Sequence, residues 1–337
     1  MTPTQLPGRP GEPRGPRGPA DPTEWRTAAV VGAGTIGLSW AALFAAHGLR
    51  VRLADPRPDL GRVLSEALPR LAVGLPGLSA DELAAGITTT RDTDEAVDGA
   101  DLVQENGPER ADVKRELFAR IAAAAPVGAV LATSSSGIPA TEIARDLDGD
   151  AAARTLVAHP FNPPHVVELV EIVPGERTAE PVVRAASAFY HRLGRTPVRL
   201  RREVPGFVAN RLQSAVMRES IQLVLDGVVS VDELDTVMKT SLGARYATIG
   251  PFESFHLGGG EGGIRHMLDH LGPGMERRWQ ESGTPELTPS AVTELTAQTE
   301  RAYGTGPRAQ RDRAPARDRR HLALIDALRA AAGRDRH

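Results

Sequence analysis

Apolar and polar positions follow strand and helix periods in alternation through the first two thirds of the chain. A short apolar run at 28–31 is followed by a glycine-containing turn, an alanine-rich helical stretch at 36–47 and a second apolar run at 50–54. This order is the beginning of a βαβ unit. Helical patterns separate most of the later strands, so we predict a mostly parallel sheet covered by helices. Those further strands are predicted at 102–104, 129–132, 155–159, 166–173 and 198–200.

The pattern changes after Pro205 and Gly206. Strand-like runs stop there, and 207–225 carries apolar residues at helical spacing. We therefore predict an α/β Rossmann-type N-terminal domain over 25–204, followed by an all-α domain over 205–337. Residues 1–24 are rich in Pro and Gly and have no hydrophobic periodicity, which predicts a disordered tail.

The composition narrows the classes of function. The 337 residues carry a formal net charge of -3, so no broad basic surface attracts nucleic acid or an anionic membrane, and we expect a small-molecule partner. The absence of cysteine excludes disulfides, thiolate metal sites and cysteine nucleophiles. No apolar run approaches the roughly 20 residues that span a bilayer, so a cytoplasmic location is expected. His266 and His270 are four residues apart without a third ligand, and we expect no metal.

A G-x-G-x-x-G fingerprint follows the first predicted strand and opens the first predicted helix. Its glycines are Gly32, Gly34 and Gly37, which permit a tight turn, close approach of a pyrophosphate and packing of helix on strand. The free N–H groups at the start of the helix, at Thr35 and Ile36, favour phosphate binding. The sequence therefore predicts a dinucleotide site at this turn.

Asp55 ends the second predicted strand and indicates which dinucleotide is bound. A carboxylate at this position accepts hydrogen bonds from the adenosine ribose hydroxyls and repels the 2'-phosphate of NADP. Arg57 lies two residues further on and could soften that repulsion. We predict NAD as the cofactor.

Four further motifs follow along the chain. They are TSSSG at 133–137, HPFNPP at 159–164, ELVE at 168–171 and PGFVANRL at 205–212. In their order and spacing these motifs resemble the 3-hydroxyacyl-CoA dehydrogenase family, and especially its lambda-crystallin and L-gulonate 3-dehydrogenase branch. The resemblance runs from about Arg26 to about Arg265.

The resemblance implies catalytic roles. His159 matches a general base that takes the proton of a secondary alcohol, and a carboxylate bonded to its other nitrogen would hold its tautomer. Strand alternation gives Glu168 and Glu171 equally apolar neighbours and does not choose between them, whereas the resemblance selects Glu171. Ser136 and Asn210 match the family's substrate-contacting serine and asparagine.

The resemblance also implies cofactor contacts and assembly. Glu105 and Lys114 match the glutamate and lysine that hold the nicotinamide half of the cofactor. A lysine in a chain that otherwise uses arginine almost throughout is consistent with a need for a compact ammonium group. The helical domain is expected to form a homodimer, as in the family.

The charges after Asp55 bear on the substrate. Coenzyme A carries several phosphates and needs a basic surface, but only Arg62 and Arg70 are positive within 59–90, and acidic residues offset them. We therefore expect a free, L-gulonate-like 3-hydroxy acid. Arg245 lies where the gulonate branch has an arginine, and we expect it to bind the substrate carboxylate.

Three alternatives remain open. L-carnitine also has a 3-hydroxyl and a carboxylate, and an L-carnitine dehydrogenase would need an aromatic cage for the quaternary ammonium, for which Tyr246, Phe252 and Phe255 are candidates. A 3-hydroxyacyl-CoA dehydrogenase is the second alternative. The third is a crystallin-like protein that binds NAD without turnover, since fold alone does not establish function. The chain has all four residues expected at the reaction centre, which argues against this third alternative. They are Ser136, His159, Glu171 and Asn210.

Overall fold

The computed structural model describes residues 21–75 and 77–334, and the chain divides into two compact units between Phe207 and Val208. Most of the predicted disordered tail, 1–20 of 1–24, lies outside the described residues, so that prediction is untested.

The first unit is built on an eight-stranded sheet. Its strands are β1 (Thr27–Val31), β2 (Arg50–Ala54), β3 (Ile87–Thr90), β4 (Leu102–Glu105), β5 (Val130–Thr133), β6 (Thr155–Pro160), β7 (Leu169–Pro174) and β8 (Thr196–Arg199). The strand order is β3-β2-β1-β4-β5-β6-β7-β8. Strands β1 to β6 run parallel to one another, whereas β7 is antiparallel to β6, and β8 is parallel to β7. This topology confirms the predicted α/β class.

The helices of this unit are α1 (Thr35–Ala46), α2 (Leu60–Leu71), α3 (Ala80–Ala85), α4 (Thr93–Val97), α5 (Ala111–Ala124), α6 (Ala140–Ile143), α7 (Gly149–Ala153) and α8 (Glu180–Arg192). One apolar cluster packs the sheet against α1, α2 and α8, and a second packs it against α4 and α5. Because helices cover both faces, every residue of the central strands β1, β4, β5 and β6 is buried.

The structure departs from the predicted strands mainly at two places, apart from β8, which lies at Thr196–Arg199 rather than at 198–200. Strand β3 was not predicted, because Ile87 is its only buried residue and three threonines complete it at the edge of the sheet. The run at 166–173 becomes a strand only from Leu169, because the N–H groups of Val166 and Val167 both donate to the carbonyl of Pro163 and form a turn.

Helix α1 is held against α8 by aromatic side chains. Trp40 and Phe44 of α1 lie against Tyr190 and Phe189 of α8, with ring centroids 5.4 Å and 5.7 Å apart. Trp25, just before β1, adds a third contact at 4.9 Å from Phe189. Because such rings bury large apolar areas, this cluster fixes the helix that follows the glycine turn.

A buried hydrogen-bond network crosses the same interface. The Tyr190 hydroxyl donates to Gln104 Oε1, and Gln104 Nε2 donates to Ser134 Oγ at 2.8 Å. Ser134 Oγ also accepts from Trp40 Nε1 at 3.0 Å and donates to Asn106 Oδ1 at 2.8 Å. Burial raises the pKa of Tyr190, so its hydroxyl remains a donor. The network therefore joins α8, β4, α1 and the loop after β5.

The second unit contains helices and no strand among its described residues, which confirms the predicted all-α second domain. Within the described part of the chain, no helix is both long and apolar enough to cross a membrane. The helices of the second unit are α9 (Ala209–Leu225), α10 (Val231–Thr240), α11 (Leu242–Thr248), α12 (Pro251–Gly258), α13 (Gly263–Glu281), α14 (Pro289–Tyr303) and α15 (Gly306–Arg334).

Removal of the Tyr190 hydroxyl tests the buried network. Tyr190→Phe leaves Gln104 Oε1 without its donor, and we expect the free energy of unfolding to fall by about 1–3 kcal/mol. Tyr303→Phe is the matched control, because Tyr303 donates to Asp235 at a partly exposed position where water can replace it. Urea denaturation followed by tryptophan fluorescence measures both. Equal losses in the two variants would contradict the network's contribution.

Candidate active site

The parallel strands bring the candidate site residues to one edge of the sheet. The carboxyl ends of β1, β2, β4, β5 and β6 lie at the same edge, because these strands run in one direction. Strand β7 runs the opposite way, so its first residues, rather than its last, lie at that edge. This is the side of an open α/β sheet at which ligands bind.

The glycine turn after β1 has the shape that the fingerprint requires. Gly32 has φ of 98°, and a Cβ there would lie 2.8 Å from the backbone carbon and oxygen of Asn106. A Cβ on Gly37 would lie 1.8 Å from the Gly32 oxygen, so α1 packs directly on the turn. A Cβ on Gly34 would meet nothing within 4 Å. The turn is thus filled from behind and open at Gly34, where a pyrophosphate would approach.

The open end of α1 and Asp55 fit the rest of an adenosine dinucleotide. Gly34 caps α1 without a side chain, and Thr35 begins the helix at an exposed position. Asp55 Oδ2 accepts the N–H of Ala33 at 2.8 Å, which fixes the carboxylate beside the turn. Arg57 Nε donates to Asp59 at 2.8 Å, so its guanidinium already has a carboxylate partner. The residues present fit NAD: Asp55 is placed where it would accept hydrogen bonds from the ribose, and Ile36 and its neighbours would offer N–H groups to the phosphates.

Glu105 and Lys114, both predicted to hold the cofactor, form a buried ion pair at the end of β4. Lys114 Nζ lies 3.0 and 2.9 Å from the two oxygens of Glu105, and their side chains are 1% and 0% exposed. Thr133 Oγ1 and the Gly107 N–H also donate to Glu105, each at 2.5 Å. With its oxygens enclosed by these donors, Glu105 braces the loop after β4 and holds Lys114 in place.

Glu109 is a site residue that the sequence reasoning did not assign. Its Oε1 accepts the backbone N–H groups of Ser136 and Gly137, both at 2.9 Å, and the Ser135 hydroxyl at 2.8 Å. Its Oε2 lies 3.6 Å from Lys114 Nζ. Partial burial acts to raise the pKa of Glu109, but the hydrogen bonds and Lys114 outweigh it and hold that pKa below its ordinary value.

These hydrogen bonds of Glu109 hold the turn that carries Ser136, the predicted substrate contact, and we call them the Glu109 clamp. The turn follows β5 and Glu109 precedes α5, so the contact depends on β4 and β5 being neighbours in the sheet. No local pattern indicates it. The signal available in the sequence was only the carboxylate five positions before Lys114.

His159 and Glu171 lie directly opposite each other on β6 and β7. His159 Nδ1 is 2.8 Å from Glu171 Oε2, and both side chains are buried. Because the carboxylate accepts the Nδ1 proton, the neutral imidazole presents Nε2 as an acceptor. Glu168 precedes β7 and lies outside the register that pairs β6 with β7. The structure thus pairs His159 with Glu171, the glutamate that the resemblance selected and that strand alternation alone could not distinguish from Glu168.

Two other predicted site residues belong to the second unit. Asn210 is the second residue of α9 and is half-buried, and Arg245 is exposed on α11 and makes no ion pair with any described residue. Their roles remain predictions.

His266 and His270 stack with ring centroids 6.0 Å apart, and no third histidine or carboxylate joins them among the described residues to form a metal site.

The pKa of Glu109 gives a test of its clamp. A carboxylate whose pKa is lowered by folding stabilises the protein above its unfolded pKa, near 4.5, and loses that effect as pH falls through the folded value. Glu109→Gln should therefore lower the free energy of unfolding by about 1 kcal/mol at pH 7 and by much less near pH 3. Urea titrations at both pH values measure this difference, with Glu116→Gln at an exposed position of α5 as control. A pH-independent difference would refute the clamp.

Comparison with known proteins agrees with this geometry. Residues 27–204 match the family model described as 3-hydroxyacyl-CoA dehydrogenase, NAD binding domain, and residues 206–297 match that of the C-terminal domain. L-carnitine dehydrogenase of Streptomyces griseus is 44% identical over 313 residues, with 90% of each chain covered. A 3-hydroxyacyl-CoA dehydrogenase of Gibberella moniliformis is 40% identical over 261 residues, covering 77% of this chain and 80% of the relative.

A solved structure extends the similarity to three dimensions. The 5-formyl-3-hydroxy-2-methylpyridine 4-carboxylic acid 5-dehydrogenase, an NAD+-dependent dismutase, is 28% identical with a TM-score of 0.71. The similarity covers 90% of this chain and 99% of that one. From its glycine turn, its paired histidine and glutamate and its two matching domains, the chain belongs to the NAD-dependent 3-hydroxyacyl-CoA dehydrogenase family.

Proposed function

We propose that this protein is an NAD-dependent dehydrogenase that oxidises the 3-hydroxyl of L-carnitine. The observation that carries the chemistry is the buried hydrogen bond between His159 and Glu171. The 44% identity to the L-carnitine dehydrogenase of Streptomyces griseus, over 90% of both chains, supports the substrate. The placement in the lambda-crystallin branch, which the sequence suggested, stays a prediction.

In the proposed mechanism, bound NAD supplies the hydride acceptor. His159 Nε2 takes the proton of the 3-hydroxyl, because its Nδ1 proton is already held by Glu171. The Glu171 carboxylate stabilises the imidazolium that forms. Ser136, on the turn that Glu109 clamps, is proposed to donate a hydrogen bond to the reacting oxygen. Asn210, which the family resemblance assigns to substrate contact, stays a prediction.

The charges after β2 favour a free acid over a coenzyme A ester. Arg62 lies 2.5 Å from Asp59 and 2.8 Å from Glu66, so both carboxylates already neutralise it. A polyphosphate would have to displace these partners. Arg245 has no carboxylate partner among the described residues and is proposed to bind the substrate carboxylate.

The ammonium end of carnitine distinguishes it from a sugar acid. A quaternary ammonium binds well to aromatic faces. Tyr246 on α11 and Phe252 and Phe255 on α12 are the proposed cage residues, and Phe252 is 83% exposed, so its ring is accessible to a ligand. The L-gulonate-like substrate that the sequence favoured stays a prediction, and the carnitine-oxidising relative supports L-carnitine instead.

A 3-hydroxyacyl-CoA substrate is the second candidate. It is supported by the 40% identity to the enzyme of that name from Gibberella moniliformis.

We further propose a homodimer formed through the helical unit, because large apolar side chains are exposed there, among them Leu212, Met217 and Trp279.

A substrate screen tests the proposal. Purified protein with NAD should form NADH, followed by absorbance, with L-carnitine at a kcat/KM at least about 100-fold above that with L-gulonate, 3-hydroxybutyrate or its CoA ester. Preference for the CoA ester would instead support the second candidate. NAD binding without turnover of any of these substrates would indicate a non-catalytic protein.

His159→Gln is the control for the mechanism. Glutamine keeps a polar side chain at the position but cannot act as the base, so kcat should fall by about 100-fold or more while NADH binding is retained. Fluorescence titration with NADH checks that the cofactor site is intact. Undiminished turnover would exclude His159 as the base.

Arg245→Ala tests the carboxylate contact. Loss of a guanidinium–carboxylate pair of about 1.5–3 kcal/mol should raise KM for the acid by roughly 10-fold or more. KM for NAD should stay the same. Arg265→Ala, at another exposed arginine of the second unit, is the matched control. An unaltered KM for the acid would remove Arg245 from the site.

A further inference from the structure

Phe207 has an unusual backbone conformation. With φ of 49°, it is the one non-glycine residue with positive φ in the part of the chain that the structure describes. It follows Pro205 and Gly206, whose φ is 73°, and its N–H donates to the Val204 carbonyl at 3.0 Å. A bulky side chain in the left-handed region is disfavoured and persists only where its surroundings hold it there.

The surroundings of Phe207 are a small buried cluster. Its side chain is fully buried and packs with Val157 of β6, Val173 of β7, Ala140 and Leu200. Val157 lies opposite Val173 in the sheet register. The tight turn therefore directs the aromatic ring under a pair of neighbouring strands.

The same strands carry the paired histidine and glutamate. His159 and Glu171 lie two residues along from Val157 and Val173, so all four side chains are on one face of the sheet. The centroids of the His159 and Phe207 rings are 5.4 Å apart, with their planes inclined at 53°. Phe207 thus packs beside the imidazole.

The His159 imidazole needs a second contact, besides its hydrogen bond to Glu171, to fix the orientation of its ring. The Cβ–Cγ torsion of histidine has broad wells, so one hydrogen bond at Nδ1 leaves the ring able to tilt. Such a tilt would move Nε2, the atom that must meet the substrate hydroxyl. A rigid aromatic ring against the imidazole restricts this movement without competing for its nitrogens.

We propose that Phe207 is a positioning residue, whose strained backbone is retained because it sets its ring against His159 and fixes the direction of Nε2. The role of Nε2 rests on the proposed function, in which His159 is the base. The contact itself does not.

The kinetic test is Phe207→Leu, which keeps an apolar side chain and removes the flat ring. We expect kcat for oxidation of the 3-hydroxy acid to fall by about 10-fold or more, because small misplacements of a base are costly. KM for NAD should stay within about twofold. An unchanged kcat would overturn the proposal. If Phe207→Leu fails to fold, Phe207→Met, with its adaptable side chain, serves the same test.

Leu200→Ala separates positioning from stability. Leu200 belongs to the same buried cluster, so its truncation should lower the melting temperature at least as much as Phe207→Leu does. It should leave kcat near the wild-type value. An equal loss of kcat in both variants would mean that Phe207 acts only through packing.

Proton NMR distinguishes failure of this proposal from failure of the proposed function. The Nδ1 proton of His159, assigned by its loss in His159→Gln, should shift or exchange faster with water in Phe207→Leu and remain unchanged in Leu200→Ala. An unaltered signal in Phe207→Leu overturns the positioning role whatever the activity. An altered signal in a protein that oxidises no 3-hydroxy acid supports positioning and rejects the proposed function.

Discussion

The reaction centre depends on the register between β6 and its antiparallel neighbour β7. That register sets His159 opposite Glu171 and, two residues away, Val157 opposite Val173. A shift by one residue would turn every side chain of one strand to the other face and separate the pair. Val157 and Val173 stabilise this register, because both side chains of this apolar pair are buried. Phe207 packs on the same face.

Two consecutive residues of β4, Gln104 and Glu105, make polar contacts on opposite faces of the sheet. Gln104 points toward α1 and α8 and enters the Tyr190 network, whereas Glu105 points to the opposite face and pairs with Lys114. Both residues are fully buried. Because buried polar groups need their partners, each constrains what surrounds it. Together they hold the loop at Asn106, against which Gly32 packs.

Several charged side chains near the site are partnered by a neighbouring group. Glu109 clamps the Ser136 turn and also lies near Lys114, and Asp55 is held at the glycine turn by a backbone N–H. Arg62 is held between Asp59 and Glu66. This arrangement gives a defined position to the groups that meet cofactor and substrate, and it offers little free positive charge to a polyphosphate.

The sequence by itself determined the features that depend on local periodicity and turn chemistry: the opening βαβ unit, the glycine turn with Asp55, and the change to helices after Gly206. It left β3 unrecognised, since a threonine-rich edge strand buries little. Strand alternation left Glu168 and Glu171 open, the family resemblance selected Glu171, and the tertiary structure pairs it with His159. Only the tertiary structure revealed the Glu109 clamp and placed Phe207 beside the imidazole. These contacts join residues on different elements of the fold. They depend on strand order and register, which the hydrophobic periodicity of the sequence does not encode.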